Sequence, residues 1–171
     1  QYKNKLFNFD INRLENIKKI IKKIRPQFIV NCIGVTNKKI NKINYSDIIK
    51  INSLFPHYLN ELSAKYNFKL IHISTDCIFA GTKNFYTEND ICDVRDIYGI
   101  SKFNGEIPES KSITFRTSII GHELYEKNGL VEWFLSKKKV YGFKNAIYSG
   151  VTTNELSKII EKCILKYNLK G

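Results

Sequence analysis

The chain has 171 residues, of which 43% are hydrophobic and 13% aromatic, which suits one soluble domain with a sizeable core and excludes a disordered chain. No apolar run approaches the roughly 20 residues of a membrane-spanning helix, and the first residues show no signal-peptide pattern, so a cytoplasmic protein and no membrane partner are expected. The net charge of +12 comes largely from lysines interleaved with isoleucines, as in Lys18-Lys19-Ile20-Ile21-Lys22-Lys23-Ile24. That spacing describes a solvated helix face. With no basic patch interleaved with aromatics, nucleic acid is not an expected partner, whereas the positive field favours a small anionic substrate.

In chain order, residues 12–25 carry Leu14, Ile17, Ile20, Ile21 and Ile24 at helical spacing, and Pro26 closes that helix. Residues 28–34 form an apolar run ending in Gly34 and predict a buried strand. Residues 47–67 fit a helix through Ile48, Ile51, Phe55, Leu59 and Leu62, with Pro56 implying a kink or a late start. Residues 69–74 and 112–117 predict two further strands, separated by a polar loop (80–95) and a helix beginning near Asp96. A short helix over 129–138 holds Trp133. Thr152-Thr153-Asn154-Glu155 reads as a capping box opening a last helix that ends near Tyr167.

Alternating helices and unbroken apolar strands predict an α/β fold, a Rossmann-like doubly wound parallel sheet covered on both faces. The chain is read as a single domain over 1–171, with no repeat, linker or low-complexity tract. In open sheets of this kind ligands bind beyond the carboxyl ends of the strands. Gly34, Thr75-Asp76 and Thr117-Ser118 all fall at such ends.

The four cysteines (Cys32, Cys77, Cys92, Cys163) form no C-x-x-C pair. They predict buried reduced thiols and no metal site. Cys32 and Cys77 fall at neighbouring strand ends. His72, inside an apolar strand, reads as a core histidine; His57 and His122 lack ligand spacing. Glu88, Asp90, Asp93 and Asp96 read as a solvated acidic turn rather than a cation site.

The stretch richest in chemistry is 69–106, where a strand ends in Ser74-Thr75-Asp76 and is followed by Tyr98-Gly99-Ile100-Ser101-Lys102. Tyr and Lys at i and i+4 share one helix face, so the ammonium can sit near the phenol and pull its pKa down from about 10. A tyrosine so tuned can act as general acid toward a carbonyl oxygen. The Thr75 hydroxyl can hydrogen-bond that same oxygen. Tyr-x-x-x-Lys alone is common by chance in a chain this rich in both residues; its setting gives it weight.

With these pieces in order, the chain resembles the extended short-chain dehydrogenase/reductases, and within them the dTDP-4-dehydrorhamnose reductase-like sugar-nucleotide reductases. The matching segments are Phe9-Asp10-Ile11, Val30-Asn31-Cys32-Ile33-Gly34, Ile51-Asn52, Ile73-Ser74-Thr75-Asp76-Cys77-Ile78-Phe79, Tyr86-Thr87-Glu88, Tyr98-Gly99-Ile100-Ser101-Lys102, Gly105-Glu106 and Phe115-Arg116-Thr117-Ser118. The resemblance implies NADP- or NAD-dependent reduction of the C4 keto group of a nucleotide-activated 4-keto-6-deoxy sugar, in the making of surface polysaccharide sugars. It implies Thr75, Tyr98 and Lys102 as catalytic residues. Asp10, Ile11, Cys32, Ile33, Gly34 and Thr117 would line the cofactor with Tyr98 and Lys102, and Asp76, Ser118, Trp133 and Tyr148 would face the nucleotide sugar. Trp133 stays open between a ligand contact and a packed helix face with Leu130 and Phe134. A homodimer is compatible with the resemblance, as is a sugar-nucleotide epimerase that retains NAD, or a non-catalytic binding protein on the same fold.

The chain departs from the family in having no G-x-x-G-x-x-G loop. Its first residues resemble the segment following the second βα unit, and its last helix stops where such proteins continue. An internal fragment is therefore expected: part of a dinucleotide-binding domain with the start of a substrate-binding part from about residue 120, inactive by itself.

Overall fold

The computed structural model describes residues 7–108, 112–124, 129–145 and 150–168. They fall into two compact units, Gln1–Arg116 and Thr117–Gly171.

The first unit is built on a three-stranded parallel sheet, in the order β1 (Phe28–Asn31), β2 (Lys69–Ile73), β3 (Ser112–Phe115). Phe28 pairs with Lys69 and Leu70 with Ser112. Along β2 successive side chains alternate between faces, and Leu70, Ile71, His72 and Ile73 are all buried, so both faces of the central strand are covered. Helices α1 (Leu14–Ile24) and α3 (Phe55–Tyr66) supply Ile21, Phe55, Leu59 and Leu62 to a core cluster with Phe68, Leu70 and Ile107. Burying such side chains is worth about 1.5–3 kcal/mol each. The observed strands are shorter than the apolar runs predict, because pairing ends at Asn31, Ile73 and Phe115 and the chain beyond them turns into loops.

Pro56 stands in the first turn of α3, as a late start expects, but the chain ahead of it is also helical. Helix α2 (Tyr45–Ile49) runs through a wide π turn (Lys50–Leu54) into α3. Phe55 N–H bonds the Lys50 carbonyl, five residues back. Proline has no N–H and its ring crowds the carbonyl four residues earlier, so the wide turn lets the helix pass that point without a break. Asn44 caps α2 through its side chain, which accepts from Asp47 N–H at 2.8 Å.

Helix α4 (Ile97–Phe103) begins at the Asp96 cap, whose carboxylate accepts from Gly99 N–H at 2.9 Å. It packs closely on its neighbours. A Cβ at Gly99 would stand 2.4 Å from the Cys77 carbonyl oxygen, and one at Gly105 only 2.0 Å from that of Asn52.

The second unit contains a two-stranded parallel sheet, β4 (Ile119–Ile120) with β5 (Val151–Thr152), a pairing too short to be read from the sequence. It also holds α5 (Leu130–Leu135) and α6 (Thr153–Asn168). The Thr152 hydroxyl accepts from Glu155 N–H at 3.2 Å, as the capping reading expects. Among the described residues no helix is long and apolar enough to cross a membrane.

The cysteines depart from the expectation of burial. Cys32 and Cys77 are exposed, and Cys92 and Cys163 partly so, with all four thiols free. Cys32 and Cys77 lie just past β1 and β2, where the sheet no longer covers them.

Candidate active site

Thr75 is buried just past β2, in extended backbone, and its hydroxyl accepts from Cys77 N–H at 3.2 Å. That bond opens a single 3-10 turn (Asp76–Ile78) and fixes the hydroxyl at the strand's tip. The hydroxyl lies beside the phenol of Tyr98 on α4. Asp76 follows, its carboxylate near the Thr75 hydroxyl at 3.4 Å and the Cys77 thiol at 3.7 Å.

Burial pushes the Tyr98 phenol above its usual pKa, and the thiol of Cys77 and the carboxylates of Asp76 and Asp96 push it the same way. The neighbouring Thr75 hydroxyl works against this rise. The expectation that Lys102 lowers it is not met. Instead the Lys102 ammonium donates to the Ile73 carbonyl at 2.6 Å. Lys102 is only 5% exposed, and burial brings its pKa down to about 8 despite the opposing pull of Glu106 and Cys32. At neutral pH this leaves a protonated phenol and a mostly protonated ammonium.

Lys102 meets the loop past β1 at Gly34, where a Cβ would stand 3.5 Å from its Nζ and 3.4 Å from Asn52 Oδ1. These are ordinary contacts, so a Cβ at Gly34 would just touch the ammonium and the Asn52 amide without displacing either. Cys32 lies within its electrostatic reach, and Ile33, 40% exposed, is held by its N–H to Asn31 Oδ1 at 3.1 Å. Asp10 is exposed; its carboxylate accepts from the N–H and side-chain amide of Asn12 at 2.9 and 3.1 Å, while Ile11 packs on the core.

A cavity of ≈ 570 Å³ opens beside Tyr98, with Cys77, Phe79, Asp93 and Arg95 in its lining. In the second unit, the Thr117 hydroxyl donates to the Ser118 carbonyl at 3.0 Å, and that carbonyl also accepts from Val151 N–H. Trp133 stands 46% exposed on α5 with Leu130 and Phe134 also exposed, so this face is not a packed one within its unit. Tyr148 lies outside the described residues.

Sequence reasoning gave no role to Asn52, which is fully buried in the π turn. Its Oδ1 accepts from Val35 N–H at 2.7 Å, and its Nδ2 donates to the Val35 carbonyl at 3.1 Å and to Ser101 Oγ at 2.9 Å. One amide thus fastens the Gly34–Val35 loop to the helix bearing Tyr98 and Lys102. The available signal was an asparagine within the apolar run Ile48 to Leu54, close to Pro56.

The arrangement suits proton transfer at a carbonyl: a protonated phenol beside a fixed hydroxyl, and a buried ammonium held at the end of β2. Residues 3–140 match the family model described as RmlD substrate binding domain. A dTDP-4-dehydrorhamnose reductase of Aggregatibacter actinomycetemcomitans is 29% identical over 174 residues, covering 94% of this chain and 58% of its own. The crystal structure of a hypothetical dTDP-4-dehydrorhamnose reductase from Sulfolobus tokodaii superposes with a TM-score of 0.81 at 27% identity, over 92% of this chain and 58% of that one. A Bacillus anthracis dTDP-4-dehydrorhamnose reductase, solved in complex with NADP, shares the fold with a TM-score of 0.78 at 24% identity. The chain spans 58% of the curated relative's length. On the match across most of its residues, and on a Rossmann-like fold shared with these structures, the chain belongs to the RmlD substrate binding domain family.

Proposed function

We propose that this chain is part of an NAD(P)H-dependent reductase acting on the C4 keto group of a nucleotide-activated 4-keto-6-deoxy sugar. The observation that carries this reading is the pairing of Tyr98, kept protonated by burial, with the Thr75 hydroxyl at the tip of β2. Reducing a carbonyl requires a proton for the developing alkoxide, and a phenol with a raised pKa holds that proton at neutral pH. The family membership and the names of the relatives point the same way.

Bound nicotinamide dinucleotide supplies the hydride. The residues present fit one side of such a group: the ammonium of Lys102 retains donors beyond its bond to Ile73, and Gly34 presents no side chain beside it. Lys102, Cys32, Ile33 and Gly34 would hold the ribose and nicotinamide end, and Asp10 and Ile11 the adenine end; the resemblance also assigns Thr117 to the cofactor. Thr75 orients the substrate carbonyl by donating to its oxygen. Tyr98 delivers the proton to that oxygen, and Lys102 supports the charge left on the phenolate. Asp76, Ser118, Trp133 and Tyr148 are assigned to the nucleotide sugar. The chain would form part of the dinucleotide-binding domain, with the substrate-binding part starting at about residue 120.

The test is NADPH or NADH oxidation by the natural gene product, purified from its source cells, with dTDP-4-keto-6-deoxy sugars and their UDP counterparts. Substrate-dependent oxidation is expected with at least one pair. Failure with all of them, by a protein that binds the dinucleotide, contradicts the reading.

A further inference from the structure

Glu106, just past α4, and Arg116, just past β3, meet in the first unit beside the end of β2. Ser74, immediately before Thr75, donates its hydroxyl to Glu106 Oε1 at 2.7 Å. Arg116 grips the same carboxylate through Nε, at 3.2 and 3.0 Å from its two oxygens, and through Nη2 at 2.9 Å. Both side chains are largely withdrawn from solvent, at 24% and 11% exposure. The remaining arm, Nη1, donates to the Glu88 main-chain carbonyl at 2.9 Å. The guanidinium also lies over the Phe79 ring, 5.7 Å from its centroid, and Phe79 stacks on Tyr86 at 4.4 Å.

Glu88, Phe79 and Tyr86 belong to the segment 79–95, whose two ends, Phe79 to Thr82 and Asp93 to Arg95, wall the cavity beside Tyr98. The segment's two ends are tied to the 3-10 turn, Phe79 N–H to the Asp76 carbonyl at 3.0 Å and Val94 N–H to the Ile78 carbonyl at 3.3 Å, and its middle is bonded to itself. Asp93 accepts from Ala80 N–H at 2.7 Å and from the Thr82 hydroxyl at 3.1 Å, and the Tyr86 hydroxyl accepts from Thr82 N–H at 2.9 Å. A single planar guanidinium therefore faces two ways, toward the strand tip through Glu106 and Ser74, and toward the segment 79–95 through Glu88 and the cavity-lining Phe79. Lysine could keep the ion pair but not the fork, the stacking face and the third arm together.

We propose that Arg116 is a positioning residue that registers the cavity wall of residues 79–95 against the strand tip carrying Thr75. It sets affinity for the sugar of the substrate without touching the reacting carbonyl. The role in affinity rests on the functional reading above; the mechanical link does not.

The test is hydrogen–deuterium exchange on the natural gene product and its Arg116→Lys variant, read at the loop amides of Ala80, Thr82, Thr87 and Asp90. Faster exchange at these amides, by about tenfold or more, is expected, with the amides of β2 and α1 unchanged. In the reductase assay KM for the nucleotide sugar rises about tenfold while kcat stays within about twofold, the signature of lost uniform binding. Unchanged loop exchange, or exchange rising equally through β2, overturns the proposal. Phe79→Leu removes the ring under the guanidinium and leaves the Glu106 pair intact; it should loosen the same amides, and it decides the matter if Arg116→Lys does not fold. A wild-type protein without reductase activity would sink the functional reading, and the exchange result would still decide the link.

Discussion

The ammonium of Lys102 is bonded to the main-chain carbonyl of Ile73 at 2.6 Å, which pins the middle of the site to the last residue of β2. The bond holds the lysine in place but does not repay its burial, since its pKa still falls to about 8 from an ordinary 10.5. Native protein thus binds fewer protons than unfolded chain between pH 8 and 10.5, and stability climbs as pH rises through that window. Below pH 8 the full cost of the buried charge, on the order of 3 kcal/mol, is present. Lys102→Met should therefore keep or raise stability, by up to about 2 kcal/mol after the lost hydrogen bond is set against it, while reductase activity falls at least about 100-fold. Urea denaturation of both proteins at pH 7, beside the reductase assay, checks this.

His72 shows the same effect on the acid side. It is fully buried, and Asn31 Oδ1 is taken by Ile33 N–H, so the Asn31 amide nitrogen donates to His72 Nδ1 at 3.1 Å. Burial, aided by nearby Lys102, lowers its pKa from 6.5 to about 3. Unfolded chain takes up a proton below pH 6.5 that native protein refuses until about pH 3, so stability falls as pH drops through that window. The slope contributed should approach about 1.4 kcal/mol per pH unit, and it should vanish in His72→Gln. Denaturation midpoints between pH 7 and pH 4 give that slope directly.

Asn52→Ala removes the three hydrogen bonds that fasten the Gly34–Val35 loop to α4, and it leaves Val35 N–H buried without its partner. A loss of about 2–4 kcal/mol is expected. Chemical denaturation measures it, and a loss below about 0.5 kcal/mol would show that the amide does not carry the junction.

Two glycines should respond in opposite ways. Gly105→Ala drives a Cβ to within 2.0 Å of the Asn52 carbonyl oxygen, so backbone must shift, at about 1–3 kcal/mol. Gly34→Ala meets only contacts of 3.4 and 3.5 Å, and stability should change by less than about 1 kcal/mol. If the dinucleotide is seated against Gly34 and Lys102, Gly34→Ala weakens NAD(P)H binding by about tenfold or more in fluorescence titration.

Much of this was legible in the sequence because periodicity reports which side chains are buried. The isoleucines of α1 and the apolar run through β2 placed a helix and a central strand, and the ordered motifs placed Thr75 and Tyr98 beside each other. What was not legible depends on three-dimensional partners. Helical spacing put Lys102 one turn from Tyr98, and only the fold shows its ammonium bonded to Ile73 instead. Pro56 marked a disturbance, but whether it ends a helix or widens a turn is decided by Asn52 and Gly105 packing around it. The Glu106–Arg116 pair joins residues whose meeting depends on the order of β2 and β3 in the sheet, which neither segment encodes alone.

Delivery of the proton to a sugar carbonyl by Tyr98 is the step on which the proposed reduction turns. Its most direct test compares the natural gene product with Tyr98→Phe for NAD(P)H oxidation by a nucleotide-activated 4-keto-6-deoxy sugar, with dinucleotide binding measured in parallel. A fall in kcat of about 100- to 10,000-fold with dinucleotide binding preserved is the predicted result. A Tyr98→Phe protein that turns over at the wild-type rate would contradict it.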